Sequence, residues 1–187
     1  SPDSKGFLNA DTSDSVLGIA SDITNDNLGC LYIADMSKKA ILKFSTDGRY
    51  IQSIGDRLID VNNKTSFIGC EVYGDHLYVT SPACNAILIF DTAGKLINKV
   101  TNLGLNCPTG LSINDKFIGI ADRLNHRVLI LDKDTFKVVK SIGGIGSDNG
   151  LFCAPWDLAL FDDFIFVADS LNNRIQKIKI GDLYEKS

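Results

Sequence analysis

Hydrophobic residues in this chain fall in short runs of about five, and each run is closed by a polar turn. Residues 107–142 show the rhythm best. Pro108-Thr109-Gly110 opens the segment, an apolar strand follows over 111–113, and Asn114-Asp115-Lys116 makes a tight turn. A second strand is predicted over 117–121, a polar loop over 122–126, a third strand over 127–131 and a fourth over 136–142. Runs of this length, with turn signals every ten residues or so, predict an antiparallel four-stranded meander and leave no room for a helix. The runs at 128–131 and 164–168 are apolar on both faces, as a sheet packed between two others requires. The same course is predicted over 17–20, 30–34, 41–44 and 50–54, and again over 68–72, 76–80, 87–90 and 96–100. A last unit supplies strands at 157–160, 164–168 and 174–180, with no fourth.

One unit is therefore written four times. The string from Ala121 to Asp132 returns at Ala168–Lys179, and more faintly at Ala34–Ser45 and Thr80–Asp91. Asp35, Ser81, Asp122 and Asp169 mark the same position, 46, 41 and 47 residues apart. A period of 40–50 residues is the mark of a propeller or solenoid array. The fold class is thus all-β, a single domain over 1–187, with repeats at about 12–55, 66–100, 107–142 and 154–180. The segment Ser4–Asp11 resembles the fourth-strand pattern at 93–100, and Ser4–Asn9 is expected to pair as a closing outer strand, with the last blade or with a neighbouring chain.

The stretch from Pro108 to Gly143 resembles the NHL repeat in Pro108, Gly110, Ala121, Asp122, Asn125, His126 and Arg127. The last unit repeats this with Pro155, Ala168, Asp169, Asn172, Asn173 and Arg174, whereas Ala40 and Ala86 stand at the Arg position in the first two units. The resemblance implies a β-propeller. The family commonly uses six blades, and four repeats leave three arrangements open: a small closed ring, part of a larger propeller, or half of an oligomeric assembly. It also implies a range of functions, because propellers carry many.

Composition narrows that range a little. Net charge −4 and a pI near 5.1 weigh against a nucleic-acid partner overall. The acids are 21 Asp against two Glu, a bias towards turns over helices. No apolar run approaches a membrane span. The five cysteines, Cys30, Cys70, Cys84, Cys107 and Cys153, show no C-x-x-C spacing. They are read as buried free thiols, which slightly favours a cytoplasmic setting, with one or two disulfides in a secreted protein as the alternative. Asn63-Lys64-Thr65 is a glycosylation acceptor in a predicted loop, though one such triplet arises by chance.

The Asp and Arg of the motif recur once per unit, so they are expected to pin the second-to-third-strand loop rather than to catalyse. The only histidines, His76 and His126, fall in loop sets on opposite faces and cannot share a metal. This sets aside the histidine-bound zinc of the family's peptide-amidating lyase. Glu71 stands where Ala20, Ser112 and Ala159 are expected, and Asp157 where Gly18, Gly69 and Gly110 are expected. Two channel carboxylates could hold a divalent cation such as Ca²⁺, as in lactonase-type propellers; otherwise no cofactor is expected. The run at 143–150 is Gly-rich, but no helix follows it to make a phosphate cradle.

First-to-second and third-to-fourth turns collect Asp residues, Asp22 and Asp115 among them. The second-to-third loops collect Lys38, Lys39, Arg123, His126, Arg127 and Arg174. A binding face is therefore expected at Lys38, Lys39, Arg123, Asn125, His126 and Asn172. The leading expectation is a non-enzymatic scaffold binding a protein partner there. An RNA-binding domain is the second, and a hydrolase or lyase with a cation in the channel the third. No nucleophile–base pair is apparent, so an enzyme would rest on Glu71 and Asp157.

Overall fold

β-Branched and aliphatic runs bounded by Asp, Asn and Gly turns fold into strands in all four units. The computed structural model describes residues 17–56 and 66–180. Blade 1 is β1 (Ala20–Asn25), β2 (Leu31–Asp35), β3 (Ala40–Phe44) and β4 (Tyr50–Ile54). Blade 2 is β5 (Cys70–Tyr73), β6 (His76–Ser81), β7 (Ala86–Asp91) and β8 (Leu96–Val100). Blade 3 is β9 (Pro108–Ile113), β10 (Phe117–Asp122), β11 (Arg127–Asp132) and β12 (Val138–Gly143). Blade 4 is β13 (Asp157–Phe161), β14 (Phe164–Asp169) and β15 (Arg174–Lys179). Each sheet is an antiparallel meander in chain order, and the only helices among the described residues are single 3-10 turns at Arg123–Asn125 and Ser170–Asn172. The blades stand in a ring with β1, β5, β9 and β13 innermost, so the first-to-second turns lie on one face and the second-to-third loops on the other.

Register is repeated as faithfully as sequence. Ile41 faces Ile54, Ile87 faces Val100 and Val128 faces Ile142, and each of these outer pairings is bulged near its far end. The pleat gives every blade a forward face, towards the next blade, and a back face. Tyr32, Ala34 and Ile41 on blade 1 pack on Cys70, Leu77, Val79, Leu88 and Phe90 of blade 2. Tyr78, Ile87 and Ile89 then pack on Ile118, Ile120, Leu129 and Leu131. Ala121, Val128 and Ile130 pack on Leu158, Ile165 and Val167. The core is thus three interblade layers, with a fourth cluster of Ile33, Ala40, Leu42 and Phe44 on the back face of blade 1.

Inner strands are stapled across these layers. Thr24 Oγ1 accepts the Val72 N–H (3.2 Å), Glu71 accepts the Ile113 N–H, and Ser112 Oγ accepts the Leu160 N–H (3.2 Å). The acceptors occupy one register position, opposite Tyr32, Tyr78 and Gly119, and the donors occupy another. Glycine is required at Gly110, because a Cβ there would lie 2.6 Å from Asp157 Cα on the next inner strand.

The expected first strand of blade 1, 17–20, is displaced: β1 begins at Ala20. Asp26 explains the shift. Its carboxylate caps a turn by accepting the Leu28 and Cys30 N–H groups at 3.0 and 2.9 Å, and so shortens the loop that follows β1. The equivalences move with it. Thr24, not Ala20, matches Glu71, and Asp22, not Gly18, matches Gly69, Gly110 and Asp157. The glycosylation triplet and Ser4–Asn9 lie outside the described residues. Of the free cysteines only Cys70 is buried; the other four are half-buried.

Candidate functional site

In blades 1, 3 and 4 the second-to-third loop is fastened from below by the acid that ends the second strand, whereas Ser81 stands there in blade 2. Asp122, fully buried, accepts Arg127 Nε (2.6 Å), Asn125 Nδ2 (2.8 Å) and the Asn106 N–H (2.7 Å). Asp169 does the same with Arg174 Nε (2.8 Å), Asn172 Nδ2 (2.8 Å) and the Cys153 N–H (2.7 Å). Each arginine then reaches back to carbonyls of the connection entering its own blade, Gly104 for Arg127 and Ser147, Asp148 and Leu151 for Arg174. In blade 1, where Ala40 replaces the arginine, Asp35 takes backbone N–H groups of Gly18, Ile19 and Lys38 instead. Burial opposes the charge on Asp35 and Asp169, but the hydrogen bonds outweigh it and hold both carboxyls below the usual range. The motif acid and arginine thus shape the loop that presents other residues.

Those other residues meet at the loop face. Arg123 lies over the Trp156 ring at 5.1 Å, which brings the 3-10 turn of blade 3 against the connection into blade 4. His126, in the left-handed conformation, accepts the Ala154 N–H at Nδ1 (3.1 Å) and closes the same seam. Leu124 and Leu171 occupy equivalent positions at the tips of their turns and are 49% and 63% exposed. Lys38 is exposed and Lys39 half-buried on the blade 1 loop. The amides of Asn125 and Asn172 are turned inwards, to Gly104 and Gly146 carbonyls as well as to the acids. Of the expected binding-face residues, Arg123 and His126 are therefore brought together. Lys38 and Lys39 lie two blades away. The exposed leucines and Trp156 went unnoticed in the sequence. The signal for the leucines was the Leu-Asn dipeptide shared by the loops after Asp122 and Asp169.

The channel gathers more acid than expected. Asp22, assigned to a turn from the sequence, lies in β1 opposite Ala34 and accepts the Cys70 N–H at 2.8 Å. With Glu71 and Asp157 it lines a cavity bounded by all four inner strands. Burial pushes the Glu71 carboxyl up to about 7, against the pull of the Ile113 N–H, and the charges of Asp22 and Asp157 add to the rise. Burial raises Asp22 and Asp157 too. No group of three or more His, Cys, Asp or Glu among the described residues has metal-binding geometry. His76 and His126 stand at opposite ends of their blades, as expected.

The opposite face is less one-sided than its aspartates suggested. Arg49 pairs with Asp47 (3.0 Å) and Lys133 with Asp134 (2.6 Å), so the turns carry partners for their own acids.

A family model described as NHL repeat matches residues 152–178. Among solved structures the chain is similar to one titled "Streptogramin B lyase structure", with a TM-score of 0.67 and 15% identity over 86% of this chain. The match covers 51% of that protein, so the chain spans about half its length. No curated protein matches the chain. The ring of antiparallel meanders makes this chain a β-propeller, and residues 152–178 of it match the NHL repeat.

Proposed function

We propose that the chain is a binding scaffold that takes a protein partner on its second-to-third-loop face. The observation that carries this reading is the pairing of exposed apolar tips, Leu124 and Leu171, with the Arg123–Trp156 stack on loops fixed by buried Asp–Arg pairs. Aromatic and arginine side chains on a rigid frame are the usual anchors of protein interfaces, and loops on a scaffold are where binding residues concentrate. Protein is favoured over RNA because Trp156 is the only exposed aromatic described at this cluster, and it is already stacked on Arg123. Reversing Lys38 and Arg123 to Glu is expected to weaken binding. With a protein partner held by apolar contacts, the salt dependence of affinity is shallow; a steep dependence would transfer the face to RNA.

A second reading, a divalent cation such as Ca²⁺ in the channel, is favoured by the convergence of Asp22, Glu71 and Asp157. The solved structure with a related fold is titled a lyase, and an enzymatic role for this chain would start from these carboxylates. Glu71 already has a task, holding the Ile113 N–H across the joint of blades 2 and 3. Calorimetric titration of Ca²⁺ into wild type and Asp157→Asn separates the readings: heat that disappears in the variant supports the cation.

A further inference from the structure

Arg123 differs from the other arginines of the loop face in what it lacks. Arg127 and Arg174 each donate to a buried acid and to carbonyls of the connection entering their own blade. Arg123 makes no hydrogen bond and no ion pair among the described residues, and its Nε is buried without an acceptor. Its guanidinium lies instead over the face of Trp156, 5.1 Å away. A guanidinium stacked through its face keeps its Nη groups for a planar acceptor, and a desolvated N–H of a charged group left unpaired is costly. The nearby motif acids cannot serve it, because Asp122 and Asp169 are buried and held by their own arginines.

Neither member of the stack repeats. The residue after the end of the second strand is Met36, Pro82, Arg123 or Ser170 in the four blades, so no shared loop function calls for arginine there. Trp156 follows Pro155 as Thr109 follows Pro108, and Thr109 uses its hydroxyl within the fold, donating to the Trp156 carbonyl (2.6 Å). His126, on the same turn as Arg123, adds a second donor. Its Nδ1 accepts the Ala154 N–H, so the neutral ring carries its proton on Nε2, which has no acceptor among the described residues. The exposed Leu124 and Leu171 stand at equivalent positions on the two blades that this seam joins.

We propose that the Arg123–Trp156 pair seats a single carboxylate of the protein partner, an Asp or Glu side chain in a short segment whose aliphatic residues lie on Leu124 and Leu171. This deepens the scaffold reading given above and rests on it. The carboxylate accepts from the two Nη groups in the paired geometry that arginine offers, and its charge offsets that of a guanidinium partly desolvated by the ring. One carboxylate adds one ion pair, so the salt dependence of binding stays shallow.

The test selects ligands for the full chain from a random dodecapeptide phage library and titrates the selected peptides by Trp156 emission, the chain having no other tryptophan. The expected peptides share an acidic residue beside aliphatic ones, shift that emission on binding, and lose about tenfold or more in affinity when the acid is changed to its amide. In Arg123→Gln the amide change has no further effect, and Arg123→Lys does not restore the affinity. Selected peptides without an acid, an equal cost of the amide change in wild type and Arg123→Gln, or tighter binding of a phosphoserine form would overturn the carboxylate seat. The scaffold reading would survive any of these if Leu124→Asp with Leu171→Asp still abolished binding. Peptides indifferent to Arg123, Leu124 and Leu171 alike, or none selected at all, would remove both.

Discussion

Asp122 and Asp169 are wholly removed from water, and each is compensated by an arginine, an asparagine and a backbone N–H. Removing one member of such a set strands a buried charge, which costs far more than the pair contributes. Arg127→Ala and Arg174→Ala are each expected to lower stability by about 3 kcal/mol in urea unfolding. A variant that kept its stability but lost a partner would move the arginine from scaffold to interface. Glu71 gives a second test at this scale. Its carboxyl is raised above the ordinary value to about 7, so the folded state binds more protons than the unfolded one between roughly pH 4.5 and 7. Stability therefore falls as pH rises through that window. Glu71→Gln keeps an acceptor for the Ile113 N–H and removes the titration, so its melting temperature is expected to fall less between pH 5 and pH 8 than that of wild type. An identical fall in both would place the shift elsewhere.

At the scale of the element, the joint between neighbouring inner strands is the unit of construction. Gly110→Ala puts a methyl group into the backbone at Asp157 and is expected to destabilise by about 2–4 kcal/mol, measured by thermal unfolding; unchanged stability would mean that β13 can retreat. The strands were legible in the sequence because turn chemistry is local. The register of blade 1 was not. Asp26 looked like another loop acid, yet it caps a turn that moves the register of β1 by four residues relative to the expected one. That shift hid the equivalence of Asp22 with Asp157 and of Thr24 with Glu71, and Glu71 therefore looked anomalous when it is one of three interblade acceptors at a single register position.

At the scale of the whole molecule, three continuous apolar layers hold four blades to one another, and the two faces of the ring differ in kind. The basic character of the loop face was readable from residue types. Its composition was not, because Asn125 and Asn172 turn inwards and Trp156 arrives from a different repeat to meet Arg123. The scaffold reading makes that face, and not the paired charges opposite, the place where a partner binds. Its most direct test is quantitative affinity capture with three proteins: wild type, a loop-face variant carrying Leu124→Asp and Leu171→Asp, and an opposite-face control carrying Asp75→Lys and Asp163→Lys. All three are expected to melt alike, since the altered side chains are exposed. The predicted result is that proteins captured by wild type and by the control are lost from the loop-face variant. Capture retained by the loop-face variant and lost from the control would contradict the account.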